Sequence, residues 1–140
     1  MSAFADPLAV EILDAERDGR VTARLLQGFG FRPAGGEAID VPAGFVTDFA
    51  SVPWGFWNFE PPLGDSAKAA VVHDFLYETK GLGGRYSRAQ ADGIFRQALS
   101  ALGVPLWKRT LLWAAVRVGG ASGWGRCVLP TRRIWFCSGM

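Results

Sequence analysis

The sequence predicts an α+β domain, with an N-terminal β-hairpin and short strands followed by a three-helix region that contains an antiparallel helix pair. Three observations predict it. Short apolar runs separated by Gly, Pro and an Asp-Gly turn signal fill the first third of the chain. From residue 67 onward, apolar residues recur at helical spacing. Strands first and helices afterwards is the order of an α+β fold, not of alternating βαβ units.

At 140 residues the chain is expected to form one domain, large enough to bury about two thirds of its unfolded surface without staples. It divides into a strand-rich part (1–46), an aromatic loop (47–64), a helical part (65–120) and a tail (121–140). In the first part, Leu8–Leu13 alternates loosely and leads through Glu16-Arg-Asp-Gly19 into Val21–Leu26, the pattern of a hairpin. Gly28, Gly30, Pro33, Gly35 and Gly36 then read as a loop, and Ala38–Val41 as a short strand ended by Pro42. Gly35-Gly36 has no lysine-bearing helix after it, so a plain loop is a better reading than a phosphate cradle.

In the aromatic loop, Thr47, Asp48 and Ser51 sit among large apolar residues. Small polar side chains in such a place hold irregular backbone together. The functional alternative makes Asp48, or carbonyls beside it, oxygen ligands for a hard cation such as calcium, with Thr47 and Ser51 in support. Trp54, Phe56, Trp57 and Phe59 form either a core lid or an apolar patch that meets lipid or a partner protein.

Asp65 or Ser66 is placed to cap a helix running from Ala67 to Glu78, which Gly81–Gly84 ends. Ser87-Arg-Ala-Gln90 fits a capping box for a second helix carrying Ala91, Ile94, Phe95, Ala98 and Leu102, stopped by Gly103. Pro105 suits the first turn of a third helix reaching about Val118. Core packing is the first expectation for that helix's apolar residues. An interfacial helix is the alternative, with Trp113 as a partner or lipid contact and Lys108, Arg109 and Arg117 at intervals.

Bulk properties exclude several classes. A formal charge of +2 and a pI near 8.8 fall short of the basic footprint of a nucleic-acid binder. Hydrophobic residues at 49%, with six Trp and ten Phe, are too many for a disordered chain, and no stretch is long enough for a transmembrane helix. Cys127 and Cys137 both lie near the end, so a disulfide framework is not expected. Residues 1–7 lack a basic n-region and an apolar h-region, so no signal peptide is expected.

The chemistry centres on the single histidine. On a helix, His73 and Tyr77 share a face, while Asp74 is turned by about 100° toward Ala70 and Glu78. An antiparallel second helix brings Asp92 back beside His73, where a carboxylate fixes the tautomer and favours the imidazolium formed when the ring takes a proton from water. Asp74, facing a loop, is then left to hold a cation such as calcium. The alternative leaves His73 bonded to a carbonyl, with Asp74 and Asp92 as structural anchors. Zinc is disfavoured by the lone histidine and the lack of a nearby cysteine, and Ser51 lacks a Gly-x-Ser-x-Gly elbow.

Two resemblances follow from these runs. Val46-Thr-Asp-Phe-Ala-Ser-Val-Pro53, Ala69-Ala-Val-Val-His-Asp-Phe-Leu-Tyr77, Ser87-Arg-Ala-Gln-Ala-Asp-Gly-Ile-Phe95 and Ala101-Leu-Gly-Val-Pro105 resemble the phage- and prophage-associated domain of unknown function 1353, over about residues 38–120. That resemblance implies a bacteriophage or prophage origin and no settled activity. Locally, His73-Asp74-Phe75 with Tyr77, then Asp92 and Phe95 on a second helix, is similar to the prokaryotic secretory phospholipase A2 motif. It implies His73 as general base, Asp74 as calcium ligand and Asp92 as the partner of the histidine. The chain departs from those enzymes in lacking their bracing cysteines and recognisable calcium loop. Two functional expectations result: a small hydrolase acting on lipid esters during entry or lysis, or a non-catalytic virion component that binds neighbouring phage proteins through its aromatic clusters. The expected location is virion or host cytoplasm.

Overall fold

The computed structural model describes residues 3–17, 20–47 and 66–125. The order is strands, then helices. Two three-stranded antiparallel sheets are formed, one by Ala3–Phe4 (β1), Phe29–Arg32 (β4) and Ile39–Val41 (β5), the other by Val10–Arg17 (β2), Arg20–Leu25 (β3) and Val46–Thr47 (β6). β4 is central in the first sheet and β3 in the second. The helices are Ala67–Glu78 (α1), Arg88–Ala101 (α2) and Leu106–Gly119 (α3), with a short turn at Lys80–Gly84 and a 3₁₀ turn at Ala121–Gly123.

β2 and β3 form the expected hairpin, with Val10 opposite Leu25 and Arg17 opposite Arg20 across the turn; a register shift lies between Leu13 and Arg17. The glycine-punctuated run read as a loop contains a strand. Phe29 and Phe31 of β4 pair with Val41 and Ile39 of β5, and all four side chains are buried. Alternating Phe-Gly-Phe places both rings on one face, and on the other Gly30 is covered closely enough that a Cβ would lie 2.9 Å from Asp40 Oδ1, so pairing and burial outweigh the glycine penalty. β1 and β6, two residues each, were also not expected. β6 matters most, because pairing of Thr47 with Ala23 brings the start of the aromatic loop onto the central strand.

α1 is the core helix. Eleven of its twelve residues are buried, all but Lys68. A helix apolar on nearly every side is stable only when surrounded, and α1 packs against α2, β5 and β6. Ser66 holds the N-cap position without a side-chain cap bond, contrary to one of the two caps expected, and Asp65 lies outside the described residues. Phe75 meets Phe45 edge-on at 5.3 Å, and Phe95, Leu99 and Leu112 complete the core from α2 and α3.

The reversal between α1 and α2 is a turn of left-handed backbone. Gly81, Leu82 and Gly83 have φ of 70°, 59° and 75°, and Lys80 is also at positive φ. Two non-glycine residues there are costly, by about 1–2 kcal/mol each. Thr79 braces the turn, accepting from the Leu82 N–H and donating to the Phe75 carbonyl. Ser87 and Gln90 then form the expected reciprocal capping box, which fixes where α2 begins and hence where Asp92 falls.

α3 departs from the core-packing expectation. Only Leu112 and Val116 are buried on it, while Leu106, Trp107, Leu111 and Val118 are exposed. Trp113 is half-buried, with the Arg96 guanidinium 5.5 Å from its ring. Among the described residues, no helix is long and apolar enough to cross a membrane.

Candidate functional site

The sequence brings His73, Tyr77 and Asp92 together as the helix geometry requires. His73 and Tyr77 stand one turn apart on α1, their rings 4.2 Å apart, and the Phe95 ring lies 4.8 Å from His73 on its other neighbour, α2. The left-handed turn and capping box return α2 so that Asp92, in its second turn, faces both. His73 Nε2 lies 2.7 Å from Asp92 Oδ1, and the Tyr77 hydroxyl donates to the same oxygen at 2.6 Å.

The second carboxylate oxygen is held by α3. Arg117 Nη1 donates to Asp92 Oδ2 at 2.8 Å, and Arg88 Nη1 lies 3.7 Å from it, one turn earlier on α2. Arg88 also donates to the Tyr77 hydroxyl oxygen and to the carbonyls of Val116 and Arg117, satisfying groups at the C-terminal end of α3. Gly120 backs the tyrosine: a Cβ there would lie 2.7 Å from its hydroxyl oxygen. Gly125 N–H donates to the Tyr77 carbonyl, drawing the chain after α3 against the end of α1.

Asp92 is fully buried, and His73 is 2% exposed. Burial works against ionising Asp92, but hydrogen bonds from His73, Tyr77 and Arg117 prevail and hold the carboxyl below its ordinary value. Burial likewise disfavours a charged His73 and wins over the pull of Asp92, so the ring titrates below 6.5; the positive charge of Arg88 adds to this. Burial and the bond to Asp92 push the Tyr77 phenol far up. At pH 7 the group is therefore a carboxylate, a guanidinium pair, a neutral phenol and a neutral imidazole.

An ionised carboxylate only accepts. His73 must then carry its proton on Nε2, leaving the lone pair on Nδ1. This is the arrangement of a base oriented by an acid. Arg88 and Arg117 are the members not singled out from sequence. Arg88 carried a signal, since it lies four residues before Asp92 on one helix face. Arg117, 25 residues away in sequence, carried none.

Asp74 faces elsewhere, as its rotation requires. It is 6% exposed, and its Oδ2 accepts from the hydroxyl of Thr47, at the end of β6. The hydroxyl thereby supplies a donor to a carboxylate that is almost fully buried. Among the described residues, no three His, Cys, Asp or Glu side chains converge as a metal set. Asp48, Ser51, Trp54 and Trp57 lie outside the described residues, as do Cys127 and Cys137.

Comparison with known proteins places the chain in a family. The uncharacterized protein y4jT of Sinorhizobium fredii (strain NBRC 101917 / NGR234) is 35% identical over 121 residues, covering 83% of this chain. The match takes in 34% of y4jT, so the chain spans about a third of the length of that relative. No solved structure matches it. The family model described as "Protein of unknown function (DUF1353)" matches residues 23–116, the span that holds the β4–β5 and β3–β6 pairings, both site helices and most of α3. The chain belongs to the DUF1353 family.

Proposed function

We infer that the chain is a small hydrolase of ester substrates, with lipid esters as the substrate class and phage or prophage biology as its setting. The observation that carries this is the His73 Nε2 to Asp92 Oδ1 contact at 2.7 Å, with Tyr77 on the same oxygen. Its likeness to the phospholipase A2 motif supports the substrate class, and the phage association of the family resemblance supports the setting.

In this reading His73 Nδ1 takes a proton from water as the water oxygen adds to the ester carbonyl. Asp92 stabilises the imidazolium so formed, and His73 returns the proton to the departing alcohol oxygen as the acyl bond breaks. Arg117 and Tyr77 keep the Asp92 carboxylate ionised and immobile. Asp74, which accepts from Thr47, is offered for calcium together with Asp48 and Ser51, which follow Thr47 in the sequence. Bound there, calcium would supply charge stabilisation for the oxyanion.

The test is turnover of a fluorescent phospholipid by the purified protein, with calcium and with chelator. Hydrolysis reduced by about 10²-fold or more in His73→Gln supports the reading, since that is the usual worth of a positioned base. Equal turnover by His73→Gln sinks it. Loss on chelation, reproduced by Asp74→Asn, supports the calcium assignment; hydrolysis indifferent to both removes calcium while leaving the base.

A second reading is favoured by the 2% exposure of His73. In it, the network is a polar lock between three helices, and the protein is a non-catalytic virion or assembly component. It is supported by co-purification with particles and by infectivity unchanged in His73→Asn. Loss of infectivity with intact particles counts against it.

A further inference from the structure

The outward side of α3 is the inverse of an ordinary surface helix. Leu106, Trp107, Leu111 and Val118 are 60%, 65%, 45% and 87% exposed, whereas Lys108, Arg109 and Arg117 are half-buried against the body of the domain. Arg117 grips Asp92, and Arg109 bonds the Ser100 hydroxyl. The remaining exposed positions of α3, Thr110, Ala114 and Gly119, are uncharged too. This face belongs to no part of the His73 site.

Two features identify its occupant. Trp107, Leu111, Ala114 and Val118 follow the 4-3-4 spacing of a helix-to-helix seam. Bulk is also distributed unevenly, with Trp107 and Leu111 in the first half of the stripe and Ala114 and Val118 in the second. A two-fold axis midway along the helix, between Leu112 and Trp113, sets Trp107 against Val118 and Leu111 against Ala114. Each large residue then meets a smaller one. The face is uncharged, so its copy brings no like-charge repulsion, and antiparallel helices oppose their dipoles favourably. A lipid surface fits less well, because the basic residues an interfacial helix directs at headgroups are turned inward.

We propose that the outer face of α3 is a self-association surface, on which a second copy of this chain docks its own α3 antiparallel about a two-fold axis. The contact is isologous. At ordinary side-chain areas it covers about 500 Å² per copy, the small end of specific interfaces, so the dimer is weak and concentration-dependent.

Sedimentation velocity of the full chain over a hundredfold concentration range reads this directly. The mass should rise from 15.1 kDa toward twice that value as concentration increases. Leu111→Lys, at a half-exposed position that tolerates a charge, should weaken association tenfold or more, and Trp107→Glu should do the same independently. Leu111→Lys combined with Ala114→Glu should restore it, because the two-fold axis sets each lysine against the partner's glutamate. A chain monomeric throughout overturns the proposal, as does a dimer indifferent to both single variants. Co-sedimentation with phosphatidylcholine/phosphatidylglycerol vesicles, lost in Leu111→Lys without any dimer, overturns it in favour of a lipid surface.

Discussion

Asp92→Asn is the most informative perturbation of the interior. The substitution keeps the shape and removes the charge. Asp92 accepts from His73, Tyr77 and Arg117 at 2.6–2.8 Å, and it is fully buried, so water cannot replace what is lost. An asparagine amide has one acceptor oxygen. Whichever way it turns, its NH₂ faces either the Arg117 guanidinium or the His73 and Tyr77 donors. Removing one partner of a buried charge pair costs about 3–5 kcal/mol. Arg117 is 32% exposed, so solvent relieves its share and the lower end applies, about 3 kcal/mol. For a domain of this size that corresponds to a fall in Tm of about 10 °C. Urea unfolding followed by tryptophan fluorescence, with thermal melts by circular dichroism, measures both. Arg117→Met, which leaves the carboxylate its other donors, should cost less, about 1–2 kcal/mol. A loss below about 1 kcal/mol in Asp92→Asn would refute the assignment of Asp92 as the joint between the three helices.

Acid should destabilise the protein in two steps. His73 titrates below 6.5 in the folded state, so the unfolded chain takes up the proton first, and stability begins to fall as pH drops through 6.5. Asp92 titrates below its ordinary 3.8, so its contribution is present above that value and lost as pH falls below it. Each step has a limiting slope of about 1.4 kcal/mol per pH unit, and urea midpoints of wild type and His73→Gln from pH 8 to 3 should show the upper step missing in the variant. Gly81→Ala should cost more than about 3 kcal/mol, because φ is +70° and the new Cβ would fall 1.9 Å from the Tyr86 carbonyl oxygen; a melt within 3 °C of wild type contradicts this. Gly120→Ala sits at an ordinary φ but meets the Val116 carbonyl at 2.4 Å and the Tyr77 hydroxyl at 2.7 Å, so about 1–3 kcal/mol should be lost together with the Tyr77–Asp92 bond. Near-ultraviolet circular dichroism, sensitive to the packing of Tyr77 on Trp124, tests that.

Features governed by local rules were legible in the sequence. The Ser87–Gln90 capping box, the glycine turn after α1 and the hairpin before Val21 each depend on a few adjacent residues, and the antiparallel return they imply sets Asp92 opposite His73. β4 was missed because two glycines and a proline outweigh Phe29 and Phe31 in a local reading, whereas pairing with β5 decides the matter. Arg117 was missed because nothing near it in sequence marks which acid it meets. The face of α3 was misread for a different reason. Helical spacing of apolar residues reports that a face is to be covered, and says nothing of whether the cover comes from the same chain. In the sequence Thr47 reads only as an oxygen in support of a cation; its place opposite Asp74 depends on a two-residue strand too short to leave a pattern.

The protonation of the histidine ring bears most directly on the site. Because the chain has one histidine, long-range proton–nitrogen correlation spectra of the uniformly ¹⁵N-labelled protein show a single imidazole. At pH 7 one ring nitrogen should be protonated and assigned to Nε2, with its proton shifted downfield by the Asp92 carboxylate, and Nδ1 should show the shift of an unprotonated nitrogen. Asp92→Asn should remove the downfield shift. A ring protonated on Nδ1 instead, or charged on both nitrogens at pH 7, would contradict a neutral base oriented by Asp92.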